Sequence, residues 1–342
     1  MLRIGIIGAG GIVEQRHLPG FAAIDGVQVR VVANRTEESS RAVADRWGIP
    51  EIETDWRALV ARDDLDAVVV GTWPYLHRDA VVAALMAGKH VFCQARMTMN
   101  AADARHMYEL AMLSDRVTAL CPPPHVMPVD KLVRRLIADG LLGELRMVRV
   151  TSLTAGATDE ERPPTWRERA AWSGQNTMAL GIWAESVRNW CGETREVWAN
   201  NRVFVDQRPN PGGGTYHICI PDSITALSSF ECGAQGVWHL SSVAHAAGPE
   251  QVELYGSAGT IVAVANRESI LVATAGETAL REVPVPPELA NPWQVERNFV
   301  DAIREGVPVL TSFYDGLKYT EFVEAVHRSH TNGALVRLPL GP

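Results

Sequence analysis

Over the first 120 residues, short apolar runs alternate with longer segments of helical period. The runs fall at 2–8, 27–33, 67–71, 90–93 and 117–120. They are continuous and rich in β-branched side chains, as strands covered on both faces must be. Helices are predicted between them at 11–24, 37–47, 77–87 and 100–114. Asn100 has N-cap chemistry with Asp103 three residues on, and Gly88 supplies a helix stop. Alternating strand and helix, joined by right-handed crossovers, predict a parallel, doubly wound sheet.

The rhythm breaks at Cys121-Pro122-Pro123-Pro124-His125. Three prolines cannot extend a central strand or enter a helix interior. The pattern therefore places a domain boundary here, giving residues 1–121 and 122–342. A helix at 129–139, a strand at 145–153 and a helix at 176–190 follow. From 194 to 283, strands succeed one another across Gly- and Pro-rich turns, and two helices at 292–305 and 315–330 come last. Strands without intervening helices predict a mostly antiparallel sheet covered by helices, an α+β domain. The length of 342 residues suits two domains of roughly 150 each.

Charge and composition narrow the function. The 32 basic and 40 acidic residues give a net charge of −8, which argues against a nucleic-acid partner. A hydrophobic share of 46% against 21% charged is globular rather than disordered. No apolar stretch approaches the ~18 residues of a membrane helix. The chain opens on a strand-like run, without a basic segment leading into an apolar core, so a cytoplasmic location is expected. Cys93, Cys121, Cys191, Cys219 and Cys232 are scattered without CxxC spacing. They predict neither disulfides nor zinc, and each reads as a small buried apolar residue. His217, His239 and His245 show no metal-ligand spacing either, so no metal is expected.

The first chemical signal is Gly8-Ala9-Gly10-Gly11-Ile12-Val13, set between the first strand and the first helix. Gly8 permits a tight turn, Gly10 and Gly11 let a pyrophosphate approach the backbone, and the helix start at Ile12 faces the anion. The third fingerprint position holds Val13 rather than Gly or Ala. The second strand ends in Asn34-Arg35, where NAD-selective sites usually carry an acid for the ribose hydroxyl. Asn34 cannot repel a 2′-phosphate and Arg35 can bind one, which favours NADP, with NAD the other option.

With these residues in place, the chain resembles the Gfo/Idh/MocA oxidoreductases, two-domain NAD(P)-dependent dehydrogenases acting mostly on sugars and cyclitols. The carriers are Ile4-Gly-Ile-Ile-Gly-Ala-Gly-Gly11 with His17-Leu-Pro19, Gly71-Thr-Trp-Pro-Tyr-Leu-His77, Ala87-Gly-Lys-His-Val-Phe-Cys93, Gly140-Leu-Leu-Gly143 and Ala325-Val-His-Arg-Ser329. The resemblance implies a Rossmann first domain, a ligand bound in a cleft between the domains, and a homodimer or homotetramer. It also implies that Thr72, Trp73, Pro74 and His77 run along the cofactor.

Three positions depart from the family pattern. Where members carry Glu-Lys-Pro, this chain reads Gln94-Ala95-Arg96. Arg96 cannot act as a base, but it can anchor an anion or polarise a carbonyl. Where members carry an Asp and, four residues on, a His, this chain has Ala179 and Trp183. Neither can move a proton, so replacement chemistry is sought in Arg96, His125, Tyr75 and Gln94. Ten Trp against six Tyr and seven Phe add aromatic faces. Trp166, Trp172 and Trp183, with the amide of Asn176, are read as a surface for a carbohydrate-like small molecule. The expected activity is hydride transfer to or from such a molecule. A redox-neutral lyase, isomerase or glycosidase with tightly held NAD(P), and a non-catalytic nucleotide-binding sensor, stay open as alternatives.

Overall fold

A computed structural model describes residues 1–175 and 177–341. Cα proximity divides the chain into two units, the first made of Met1–Pro122 with Gln294–Leu317, the second of the remainder.

The first unit contains a six-stranded sheet of β1 (Leu2–Ile7), β2 (Val27–Ala33), β3 (Glu51–Ile52), β4 (Ala67–Val70), β5 (His90–Cys93) and β6 (Thr118–Leu120). All pairs are parallel, in the order β3-β2-β1-β4-β5-β6. β4 is buried along its whole length, which explains its uninterrupted Ala-Val-Val-Val. The crossovers carry α1 (Leu18–Ala22), α2 (Glu37–Trp47), α3 (Trp56–Val60), α4 (Pro74–Met86) and α5 (Ala101–Met112). Local chemistry sets the helix ends. Thr36 caps α2 through Ser39 N–H, Pro74 opens α4 at a position that needs no donor, and Asn100 Oδ1 accepts from Asp103 N–H at 2.8 Å. The segment predicted as one helix at 11–24 instead contains a π-helical turn, Val13–His17, before α1. The strand order reverses between β1 and β4, where doubly wound sheets bind ligands at the strands' carboxyl ends.

The second unit opens with α6 (Asp130–Ala138), β7 (Leu145–Leu153), α7 (Ala170–Ser173) and α8 (Leu180–Cys191). Then come β8 (Thr194–Arg202), the ribbon of β9 (Gln207–Pro209) and β10 (Thr215–His217), β11 (Ser223–Phe230), β12 (Gln235–Ser241), β13 (Gln251–Gly256), β14 (Gly259–Val264), β15 (Ser269–Thr274) and β16 (Arg281–Pro284). With β17 (Val336–Arg337), nine strands form a sheet in the order β16-β15-β14-β13-β7-β12-β11-β8-β17. Every pair is antiparallel except β12 with β7. The inward positions of β8 and β11 alternate with outward ones, as do those of β12 up to Leu240, burying Val197, Ala199, Ile224, Ala226, Trp238 and Leu240. Two helices close the chain: α9 (Val295–Glu305), which belongs to the first unit, and α10 (Phe313–Asn332). Trp238 packs on Phe322 of α10 with ring centroids 4.7 Å apart.

The loop before α7 is pinned by Glu168. Its carboxylate accepts two bonds from Arg162, at 2.7 and 2.8 Å, two from Thr165 and one from the fully enclosed Arg208. Burial opposes ionisation of Glu168, but the Arg162 and Thr165 bonds outweigh it and hold the carboxyl down at about 2. The group therefore adds stability that is fully present above its ordinary value near 4.5 and is lost as pH falls through about 2. The contribution is about 3 kcal/mol. Acid titration of unfolding should show the Glu168→Gln variant losing less stability than the parent between pH 5 and pH 2.

The cysteine expectation needs correction. Cys93, Cys121 and Cys191 are buried, but Cys219 and Cys232 are exposed, Cys219 in the irregular segment between β10 and β11 and Cys232 in the turn between β11 and β12. Among the described residues, no helix is long and apolar enough to cross a membrane, and no cluster of His, Cys, Asp and Glu could hold a metal ion.

Candidate functional site

The first unit builds a nucleotide cradle at the carboxyl ends of β1, β2, β4 and β5. Gly8 has a φ of +84°, and a Cβ there would meet Thr72 Cγ2 at 2.5 Å, so the turn requires glycine. Gly10 and Gly11 are different. A Cβ on either would meet nothing within 4 Å, so no packing inside the protein demands glycine there. That open space over the start of a helix fits a pyrophosphate drawn close to the backbone N–H groups. Ile12 is half-exposed at the same opening. The departure at Val13 also finds its reason. Val13 is fully buried, and a Cβ on Gly71 would meet its Cγ2 at 2.4 Å. Close packing of helix and strand, which the third fingerprint glycine normally permits, is supplied here by Gly71 from the strand side.

Asn34 is placed differently from the expectation that it faces a ribose. Its Oδ1 accepts from Ala9 N–H at 2.7 Å and its Nδ2 donates to the Ser39 carbonyl at 3.1 Å, so both ends of the amide brace the glycine turn. Arg35 remains exposed, its guanidinium 5.7 Å from the centre of the Trp73 ring. This cation–π pair brings together two residues 38 positions apart at the ends of β2 and β4.

Pro74 is buried at the first turn of α4, Thr72 is half-buried beside Gly8, and Tyr75 is 43% exposed. His77 corrects its assignment to the cofactor surface. It is fully enclosed, its two ring nitrogens lie 3.0 Å from the Met97 carbonyl and 2.9 Å from that of Thr72, and burial holds its pKa below the ordinary value. With no exposed surface, this imidazole ties α4 to the loop after β5. In that loop Gln94 and Arg96 are both buried. Gln94 Oε1 accepts from Ala95 N–H at 2.9 Å, which leaves its amide N–H groups as donors.

In the second unit, His125 lies against Trp183, with ring centroids 5.3 Å apart and planes at 59°. The Asn266 N–H donates to the His125 carbonyl at 2.7 Å and fixes the backbone there. Trp183 is fully buried in α8, which overturns its assignment to a substrate surface. A side chain without exposed area serves packing, and among the described residues its Nε1 has no hydrogen-bond partner. Trp166 and Trp172 are half-buried, and each is covered on one side by a guanidinium, of Arg167 at 4.4 Å and of Arg169 at 5.0 Å. Asn176 lies outside the described residues.

Residues 2–120 match the oxidoreductase family with an NAD-binding Rossmann fold, and residues 131–262 match the GFO/IDH/MocA C-terminal domain. The levoglucosan dehydrogenase of Pseudarthrobacter phenanthrenivorans is 25% identical over 386 aligned positions, covering 99% of this chain and 98% of the relative. The myo-inositol 2-dehydrogenase of Thermotoga maritima is 26% identical over 92% of each chain. A solved levoglucosan dehydrogenase in complex with NADH and L-sorbose shares the fold at a TM-score of 0.90 and 24% identity, covering 99% of each chain. With both of its domains matched in order along the chain, the protein belongs to the GFO/IDH/MocA oxidoreductase family.

Proposed function

We propose that the protein is an NADP-preferring dehydrogenase that oxidises or reduces a sugar-like or cyclic polyol, with His125 in place of the usual proton-transfer residues. The observation that carries this reading is the glycine turn, whose Gly10 and Gly11 stand open where nothing in the protein requires glycine. When bound, the nicotinamide supplies or accepts the hydride, so the chain has to orient its ligands and move one proton. His125 is suited to move it, because imidazole titrates near neutral pH and its ring adjoins position 183, where the family pattern has a histidine. Arg96 stays charged and polarises or anchors an oxygen. Gln94 and Tyr75 donate hydrogen bonds to hydroxyl groups. Trp166 and Trp172 offer aromatic surface to a sugar ring. The relatives named above act, by their names, on levoglucosan and myo-inositol, which supports a hydroxyl-rich ring as substrate.

NADP preference rests on the uncharged end of β2 and on Arg35 stacked beside Trp73. The Arg35→Ala variant should lose about 10- to 100-fold in kcat/KM with NADPH, the worth of a charged hydrogen bond, while NADH is little affected. Initial rates followed at 340 nm decide it, and an equal loss with both cofactors would refute the phosphate role. A homodimer or homotetramer is part of the same proposal. The outward sheet face carries Trp198, Leu227 and Val237 side by side across β8, β11 and β12, with Trp198 43% and Leu227 51% exposed. Light scattering on the intact protein gives the assembly mass.

A further inference from the structure

Two cysteines meet in the C-terminal unit, although 41 positions separate them in the chain. Cys191 is the last residue of α8, and Cys232 lies in the turn between β11 and β12. That turn is pinned to the link between α8 and β8. Phe230 pairs with Thr194, and the Glu231 N–H donates to the Glu193 carbonyl at 2.9 Å. The register lays Cys232 against the end of α8, where its thiol donates to the Cys191 carbonyl at 3.8 Å. This contact and standard bond lengths keep the two Cα atoms within about 9 Å, and a disulfide takes them at up to about 7 Å. Glycine follows each cysteine, Gly192 at a φ of +84° and Gly233 at +91°, and a Cβ on either would meet nothing within 4 Å. The backbone beside both sulfurs has room to close the difference.

The two thiols differ in exposure. Cys232 is open to solvent, whereas Cys191 is 8% exposed. Burial first, and then the charge of a Cys232 thiolate close by, push the Cys191 thiol up from its ordinary value. Cys232 is therefore the sulfur that a dissolved oxidant reaches, and Cys191 is held in reserve beside it. A raised pKa leaves fewer thiolates but makes each a stronger nucleophile. Cys93 and Cys121 supply the contrast. They adjoin at the ends of β5 and β6, with the Cys121 N–H donating to the Cys93 carbonyl at 2.9 Å, yet both are buried. That pair offers an oxidant no exposed member.

We propose that Cys191 and Cys232 form a peroxide-sensitive pair, in which Cys232 is oxidised first and Cys191 resolves it to a disulfide. In the first step the Cys232 sulfur attacks hydrogen peroxide. An S–O bond forms, the O–O bond breaks, and one water leaves behind a sulfenic acid. In the second the Cys191 sulfur attacks the Cys232 sulfur. The S–S bond forms, the S–O bond breaks, and the Cys191 proton leaves with the hydroxide as a second water. A thiol reductant restores both thiols by exchange. The bond ties the end of α8, the helix that carries Trp183, to the turn between β11 and β12. The site needs no nicotinamide and does not depend on the dehydrogenase reading.

Cys219, the other exposed cysteine, serves as an internal reference. The intact protein is reduced, freed of reductant and treated with a small molar excess of hydrogen peroxide, with or without dimedone, which traps sulfenic acids. Remaining thiols are blocked with iodoacetamide, and the peptides are mapped by mass spectrometry without reduction. Linkage of Cys191 to Cys232 should exceed any linkage through Cys219 by about tenfold, and dithiothreitol should remove it. Cys191→Ala should leave Cys232 as the dimedone adduct, at about ten times the level in the parent. Cys232→Ser, a change at an exposed position, should leave Cys191 unlinked and unoxidised. Sulfinic acid at Cys232 of the parent, without linkage, overturns the resolving role of Cys191. Linkage of Cys232 to a second molecule in place of Cys191 overturns the pairing. Oxidation of Cys191 that persists in Cys232→Ser overturns the order of the steps. No reaction at either residue under conditions that oxidise Cys219 overturns the site.

Discussion

Replacing His125 with alanine is expected to lower kcat by about 10²- to 10⁴-fold, the usual worth of a general acid–base group, with the affinity for NADPH almost unchanged. By the resemblance read from the sequence, Ala179 and Trp183 fall where an Asp and a His are expected on one helix face, and Ala95 at the expected lysine position. Hydride transfer to a carbonyl still requires a proton on oxygen, and the reverse requires its removal. Arg96 is charged throughout the accessible pH range, and the Gln94 amide is neither an acid nor a base there. His77 is sealed between two carbonyls. His125 alone among the candidates brings an imidazole in a half-buried position, and its ring centre sits 5.3 Å from that of Trp183. A purely packing role predicts something different. The variant would then lose stability to a cavity beside Trp183 while kcat held steady. The pH profile of kcat separates the two. A catalytic imidazole contributes a limb near neutral pH that disappears in His125→Ala and is partly restored by added imidazole. A kcat within threefold of the parent, with an unchanged profile, sinks the assignment.

Sequence pattern disclosed the fold where one physical cue dominated. The limits of α2 and β7 follow from capping and alternation at 37–47 and 145–153, and structure and pattern agree there to the residue. Cues failed where a distant partner decides. Val13 looked like a defect in the fingerprint because Gly71, which makes room for it, is 58 residues away. Asn34 looked like a cofactor contact because nothing local shows that the Ala9 N–H claims its oxygen. Trp183 looked like a ligand platform because burial depends on what packs above a helix, and the helix pattern alone does not say. Gln294–Leu317 reads as part of the second domain by position, yet it groups with the first.

The second large effect is expected at Glu296. Its Oε1 lies 2.5 Å from His17 Nδ1, both side chains are essentially enclosed, and the imidazole also meets Phe92 edge-on at 5.0 Å. Gly20 exists for this contact, since a Cβ there would fall 2.5 Å from Glu296 Oε2. Through the pair, α9 is fastened to the π-helical turn that follows the glycine cradle, and Phe92 in turn packs on Phe299 of α9 at 5.7 Å. Glu296→Ala removes one partner of a buried polar pair and leaves a cavity. A loss of about 3–5 kcal/mol follows, roughly 6–20 °C in melting temperature for domains of this size. The contrast is Glu14 with Arg46, an ion pair of 2.5 Å whose arginine is 64% exposed. Breaking it by Arg46→Ala should cost under about 1 kcal/mol. Because His17 ends the turn that begins just past Gly11, Glu296→Ala should also weaken NADPH binding in the fraction that remains folded, whereas Arg46→Ala should not. Differential scanning calorimetry with and without NADPH measures both effects. A Glu296→Ala protein that melts within 2 °C of the parent would show that α9 is held by its apolar face alone, and that the short His17 contact adds nothing to the cradle it stands behind.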